Sequence, residues 1–278
     1  MVLTHIETDG GTLAVEIEGE GPLILCSPGM GELRSSYAPL AEHLVASGFC
    51  VARMDARGHG DSSAVFNRYG DEPTAEDFLT VVRKLDKGRA VLAGTSFSAG
   101  SATIAAGKSP ELVAGIVLLA PFVRNPAGIM GMIAPYMMKI MFMKPWGPFM
   151  WNMYAKTLYP GLGDKAGERA ATSTASLTRP GRWEAFQKTV AGLDHSVVGP
   201  WIPQVQAPVL IVMGASDPDW TDPIKEAEWI ASNFKVVENV TVPGAGHAPM
   251  LESPELVGGK VLAFVERLRT TGAFAVKK

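Results

Sequence analysis

A serine, an acid and a histidine occur in that order along the chain, each just beyond a short apolar run. Gly94-Thr95-Ser96-Phe97-Ser98-Ala99-Gly100 follows Ala90–Ala93, and Gly214-Ala215-Ser216-Asp217-Pro218-Asp219-Trp220 follows Pro208–Met213. Pro243-Gly244-Ala245-Gly246-His247 follows Val236–Val242. Acyl transfer needs such a trio: a hydroxyl attacks, an imidazole takes its proton, and a carboxylate fixes the imidazole tautomer and steadies its charged form. A serine at the apex of a sharp strand-to-helix turn is lifted clear of the sheet, with backbone N–H groups beside it. Two serines compete for that apex. Ser96 has Gly94 two residues before it and Ser98 has Gly100 two residues after it, so neither completes G-x-S-x-G. Asp217 and Asp219 compete in the same way as orienting acid. His247, between Gly246 and Ala248, has no periodic apolar role and reads as the general base.

The elements that would position these residues follow from the apolar pattern. Thr4–Asp9 and Thr12–Glu18 alternate around Gly10-Gly11, which predicts a hairpin with a positive-φ turn. Pro22–Cys26, Phe49–Met54, Ala90–Ala93, Val113–Ala120 and Pro208–Met213 are nearly continuous apolar runs, hence buried parallel strands, and Val236–Val242 is a further strand. Helices are predicted over Ser35–Ser47, over Thr74–Leu85 with Thr74 as cap, from the elbow to Lys108, over Asp222–Ser232 and over Pro254–Arg269. Alternating strands and helices mean βαβ units, and in a parallel sheet ligands collect at the carboxyl ends of the strands. The alternation breaks between Phe122 and Ala207, where helical patches, Gly and Pro prevail. An inserted helical cap accounts for that stretch better than a structureless loop. The expected layout is a core over residues 1–123, a cap over 124–206 and the rest of the core over 207–278.

With these pieces in place, the chain resembles the α/β-hydrolase superfamily along nearly its whole length. The resemblance rests on Pro28-Gly29-Met30, Asp55-x-Arg57-Gly58-His59-Gly60-x-Ser62, Gly94-Thr95-Ser96, Gly214-x-x-Asp217-Pro218 and Gly246-His247. It implies a mostly parallel, eight-stranded α/β sheet flanked by helices, with an inserted helical cap. It also implies Ser96 as nucleophile, Asp217 as acid and His247 as base, with oxyanion donors at the backbone N–H groups of Met30 and Phe97. Two departures stand out: Ser98 occupies a position where the family usually has Gly, and Pro28 replaces a usual His. The activity implied is hydrolysis of a carboxylic ester, thioester or lactone through an acyl-enzyme. Perhydrolysis of the haloperoxidase kind and carbon–carbon hydrolysis use the same trio, and some relatives sense ligands with little turnover. Epoxide hydrolase and dehalogenase chemistry is disfavoured, because those relatives place Asp at the elbow.

The insertion is rich in Met130, Met132, Met137, Met138, Met141, Met143, Met150 and Met153, with Tyr136, Phe142, Trp146 and Trp151. Met and aromatic side chains suit irregular hydrophobic ligands, so Met137, Met141, Trp146 and Trp220 are expected to line a pocket for a bulky apolar substrate. Asp55 and Arg57 read as a local ion pair holding a turn, His59 as a structural turn residue, His5 and His43 as surface residues, and His195 as open to a substrate contact. No Cys/His or carboxylate cluster has metal-ligand spacing, and no glycine-rich nucleotide loop follows a strand, so no metal or cofactor is expected. A net charge of −3, with no basic footprint, argues against nucleic acid or anionic membrane as the main partner. Pro135, Lys139, Lys144, Pro145 and Pro148 break the Ile129–Tyr154 stretch, so no membrane span is expected. The N-terminus lacks a basic start followed by an apolar run, and Cys26 and Cys50 read as buried thiols, which predicts a reducing, cytoplasmic setting.

Overall fold

The computed structural model describes residues 1–126 and 128–275, without the side chain of Met130. Eight strands form one sheet: β1 (Val2–Thr8), β2 (Gly11–Glu18), β3 (Leu23–Ser27), β4 (Cys50–Met54), β5 (Ala90–Thr95), β6 (Val113–Leu119), β7 (Val209–Gly214) and β8 (Val237–Val242). Their spatial order is β1-β2-β4-β3-β5-β6-β7-β8. Only β2 runs against its neighbours, β1 and β4; every other pair is parallel. The β1–β2 turn carries Gly10 at φ +85°, as a two-residue hairpin turn demands.

The inner parallel strands β3, β5, β6 and β7 are buried along their whole length because both faces of the sheet are covered, whereas the edge strand β8 carries Glu238, Asn239 and Thr241 and is partly exposed. Leu23, Leu25, Ala90, Leu92, Ile116 and Leu118 face one layer, with α2 (Asp71–Leu85), α3 (Phe97–Lys108) and α8 (Pro223–Ala231). Ile24, Cys26, Val91, Ala93, Val117 and Val212 face the other, with α1 (Ala38–Ala46) and α10 (Pro254–Thr270). This alternation along each strand is the two-residue period of the pleat. Cys26 and Cys50 are buried and unpaired with each other, and burial pushes the Cys26 thiol up to about 12.

Helix α2 begins at Asp71 and not at the expected Thr74, because Pro73 takes an early position where no N–H is required and Asp71 and Glu72 suit the positive end of the helix. Between β6 and β7 the described chain forms helices and no strand: α4 (Gly128–Met141), α5 (Gly147–Thr157), α6 (Lys165–Leu177), α7 (Arg182–Gly192) and short 3-10 turns. The inward side chains of this segment join the core layer below: Phe142, Trp151 and Phe186 pack edge-on against one another, and Trp183 lies tilted on Phe186. A short helix, α9 (Pro249–Glu252), begins two residues after His247 and precedes α10. Among the described residues no helix is long and apolar enough to cross a membrane.

Candidate active site

One residue separates β5 from α3, and that residue is Ser96. It adopts φ 60° and ψ −128°, a backbone state an L side chain rarely enters. Ser96 N donates to Leu119 O at 3.0 Å, while its carbonyl accepts from Ala99 N at 3.0 Å and Phe122 N at 3.2 Å. Gly94 makes room for the turn, since a Cβ there would lie 2.2 Å from the Ser98 carbonyl oxygen. Ser98 occupies the first turn of α3, fully buried, and its Oγ donates to Pro28 O at 2.6 Å with Ser27 Oγ at 3.2 Å. The two serines are therefore separated by geometry: Ser96 heads the turn, and Ser98 fastens it to the loop after β3.

His247 and its acids come from the loops after β8 and β7. The ring Nδ1 lies 2.9 Å from Asp217 Oδ2 and 3.4 Å from Asp219 Oδ2. Asp217 Oδ1 accepts from Asp219 N at 3.0 Å, and Asp219 Oδ1 accepts from the Tyr154 hydroxyl. Burial opposes a charge on the His247 ring, but the carboxylates of Asp217 and Asp219 outweigh it and raise the pKa to about 9. The Asp219 carboxyl is itself pushed up by burial, with His247 opposing and Asp217 adding. Tyr154 is held well above the usual phenol range by burial and then by Asp219. The ligand atoms of Asp217, Asp219 and His247 lie within 4.8 Å of one another, close enough to hold a cation. They are equally the expected acid–base grouping.

The loop after β3 is braced against Ser96 from several sides. A Cβ on Gly29 would lie 3.0 Å from Ser96 Cβ, so glycine lets this loop approach without pushing the Ser96 side chain aside. Gly31 N donates to His59 Nε2 at 3.0 Å, and Gly31 O accepts from Ser173 Oγ at 2.6 Å. His59 Nδ1 faces the Arg57 carbonyl at 2.8 Å, so the expected turn histidine also positions the stretch carrying Met30. Phe97 is the first residue of α3, and the first N–H groups of a helix have no intrahelical acceptor. Asp55 and Arg57 do not pair with each other as expected. Asp55 accepts from Arg34 N and Asp61 N, whereas Arg57 forks onto Asp77 of α2 at 2.6 and 2.7 Å.

A cavity of about 230 Å³ opens at Ser96, walled by Met30, Phe97, Phe122, Met138, Tyr154, Asp219 and others. Phe122 stacks on Trp220 at 4.6 Å and meets the His247 ring edge-on at 6.0 Å. Of the four residues expected in the pocket, Met137 and Trp146 instead stand about half exposed. Met141 packs against the core, and Trp220 buttresses Phe122 from behind. The α4 side that borders the cavity is Gly131, Ala134, Pro135 and Met138, one helical step round from Met137 and Met141. The volume lies below the roughly 300–1,000 Å³ of drug-sized ligand sites. A larger cleft of about 540 Å³ lies elsewhere, and its charges already answer one another, Asp61 with Arg34 at 2.9 Å and with Arg179 at 3.3 Å.

Two residues gain importance that their sequence context did not suggest. Glu252 of α9 accepts from Gly246 N at 2.8 Å, Ala248 N at 3.0 Å and Gly161 N at 2.7 Å, gripping the backbone on both sides of His247. Its one sequence signal is a lone Glu five residues past His247 in an otherwise apolar stretch. Asp71 lies 2.9 Å from Nδ1 of His195, which borders the cavity and forms a second imidazole–carboxylate pair there. His5 is exposed and His43 meets Glu255 at 3.2 Å near the surface, as expected.

The family model described as the alpha/beta hydrolase family matches residues 23–258. A 2-(acetamidomethylene)succinate hydrolase from Mesorhizobium japonicum is 26% identical over 262 residues, covering 92% of both chains. A protein named as a probable esterase from Oryza sativa subsp. japonica is 26% identical over 267 residues, covering 91% of this chain and 94% of the relative. Among solved structures, an esterase from Thermogutta terrifontis superposes with a TM-score of 0.80 at 23% identity, covering 96% of this chain and 99% of its own.

Proposed function

The chain belongs to the alpha/beta hydrolase family, and from that premise we propose that it is a serine hydrolase of compact apolar esters, thioesters or lactones. The observation that carries this reading is Ser96, held at φ 60° at the head of a cavity whose Phe122 wall packs on the Asp217-bound imidazole of His247. In the reaction, His247 Nε2 takes the hydroxyl proton as Ser96 Oγ attacks the acyl carbon. The N–H groups of Met30 and Phe97 stabilise the oxyanion, each contributing a factor of about 10²–10³. Collapse expels the alcohol or thiol, protonated by His247. Water, activated by the same imidazole, then frees the acid and restores Ser96. Asp217 fixes the Nδ1–H tautomer, and Asp219 with Tyr154 tunes how readily the ring gives up its proton. The helical segment acts as a cap whose α4 and α5 side chains bound the acyl site.

The relatives named as hydrolase and esterase support the reaction class, and the limited cavity supports a short acyl chain. Turnover of p-nitrophenyl acetate and butyrate by wild type, with Ser96→Ala inactive but unchanged in melting temperature, is the expected result. Full activity in Ser96→Ala would refute the proposal.

A further inference from the structure

Helix α4 is apolar on two opposite sides. One side borders the cavity through Gly131, Ala134, Pro135 and Met138. The other presents Ile129, Met132, Tyr136 and Ile140 to the outside, 69%, 67%, 68% and 61% exposed, at the spacing of a single helical stripe. Phe149 and Met153 extend the exposed apolar surface onto α5 at 66% and 53%. A surface helix ordinarily turns polar residues outward, and a run of exposed large apolar side chains of this extent marks a binding face.

Charge indicates what binds there. No Asp or Glu occurs between Phe122 and Gly163, although the whole chain carries a net charge of −3. Lys139, Lys144 and Lys156 are exposed in the same stretch. Lys144 reaches Glu184 of α7, while Lys139 and Lys156 have no carboxylate partner among the described residues. A second copy seated by a two-fold axis through this face would bring the unpaired Lys139 and Lys156 toward like charge, and the face itself carries no Asp or Glu to answer them. An apolar stripe with a rim of lysines suits an anionic lipid surface, where the stripe enters the acyl boundary and the ammonium groups stay with the headgroups.

We propose that the outer face of α4 and α5 docks onto anionic membranes, with α4 lying in the plane of the interface. The helix would then have lipid on one side and the cavity at Ser96 on the other, giving an apolar ligand a short path between them. This inference does not depend on the chemistry proposed above.

Co-sedimentation with vesicles of phosphatidylcholine, with and without phosphatidylglycerol, tests it. Wild type should pellet with the anionic vesicles, less so as salt rises. The combined variant Ile129→Gln, Met132→Gln, Tyr136→Gln, Ile140→Gln should bind at least about tenfold more weakly, since binding scales with the apolar area inserted. Its melting temperature and hydrolysis of water-soluble esters should not change. The pair Lys139→Gln, Lys156→Gln should lose the preference for phosphatidylglycerol. Wild type that stays in the supernatant with anionic vesicles at low salt overturns the proposal, as does undiminished binding by the apolar variant. A concentration-dependent dimer that this variant dissolves, without vesicle binding by wild type, overturns it too and assigns the face to a second copy.

Discussion

Replacing Asp219 by Asn should move the pH profile of turnover, whereas replacing Asp217 by Asn should remove turnover. Both carboxylates face one ring nitrogen, at 2.9 Å for Asp217 and 3.4 Å for Asp219. Both raise the pKa of His247, which stands at about 9, and the base acts only after losing that proton. A full charge at 3.4 Å in a medium of effective dielectric about 20 interacts with the ring by about 5 kcal/mol as an upper bound. Asp219 delivers less than this, because burial pushes its carboxyl toward the neutral form and Tyr154 shares its charge. A downward shift of about one to two pH units is the expected remainder, so kcat/KM at pH 7 should rise about tenfold or more in Asp219→Asn. Asp217→Asn loses the tautomer control and should fall by about 10⁴-fold. Initial rates on p-nitrophenyl butyrate from pH 5 to 10, followed at a pH-independent wavelength, give both profiles. An inactive Asp219→Asn beside an active Asp217→Asn would refute the reasoning and make Asp219 the orienting acid.

Ser98→Gly removes the 2.6 Å bond to Pro28 O and leaves that carbonyl short of a donor, a loss of about 1–2 kcal/mol. Thermal melting should show it as a drop of a few degrees, with ester turnover kept within about fivefold of wild type; a collapse equal to that of Ser96→Ala would make Ser98 the nucleophile. Glu252→Gln keeps one acceptor for the three N–H groups around His247, whereas Glu252→Ala keeps none. The Ala variant should lose kcat with KM little changed, the Gln variant should recover part of it, and equal loss of kcat and stability in both would reduce Glu252 to a purely structural role. Dialysis against EDTA should leave ester turnover intact, and a loss restored by a divalent ion would instead make Asp217, Asp219 and His247 a metal centre.

Much of this was legible in the amino-acid order because parallel strands buried on both faces must be apolar runs, and Ala90–Ala93, Val113–Ala120 and Pro208–Met213 could hardly be anything else. Strand ends then indicate where polar residues gather, which brought Ser96, Asp217 and His247 into view together. The elbow motif alone leaves Ser96 and Ser98 open, and only the family resemblance favours Ser96; what no motif shows is the positive φ at Ser96 and the buried acceptor that holds the Ser98 hydroxyl. The pocket wall is hard to read for a related reason: apart from Lys139, α4 is apolar on nearly every side, so periodicity cannot say which stripe faces inward, and it is Met138, not Met137 or Met141, that borders the cavity. Long-range partners were hidden as well. Arg57 passes over its neighbour Asp55 for Asp77, and Glu252 reaches back to the His247 loop, pairings that only the folded chain creates.

The central claim is that Ser96 Oγ is the attacking nucleophile. Incubation with a fluorophosphonate, followed by tryptic digestion and mass spectrometry, tests it in one measurement. The account predicts a single adduct on Ser96, formed faster as pH rises toward 9 and absent when His247 is replaced by Ala. An adduct on Ser98, or no adduct in a protein that still hydrolyses esters, would contradict it.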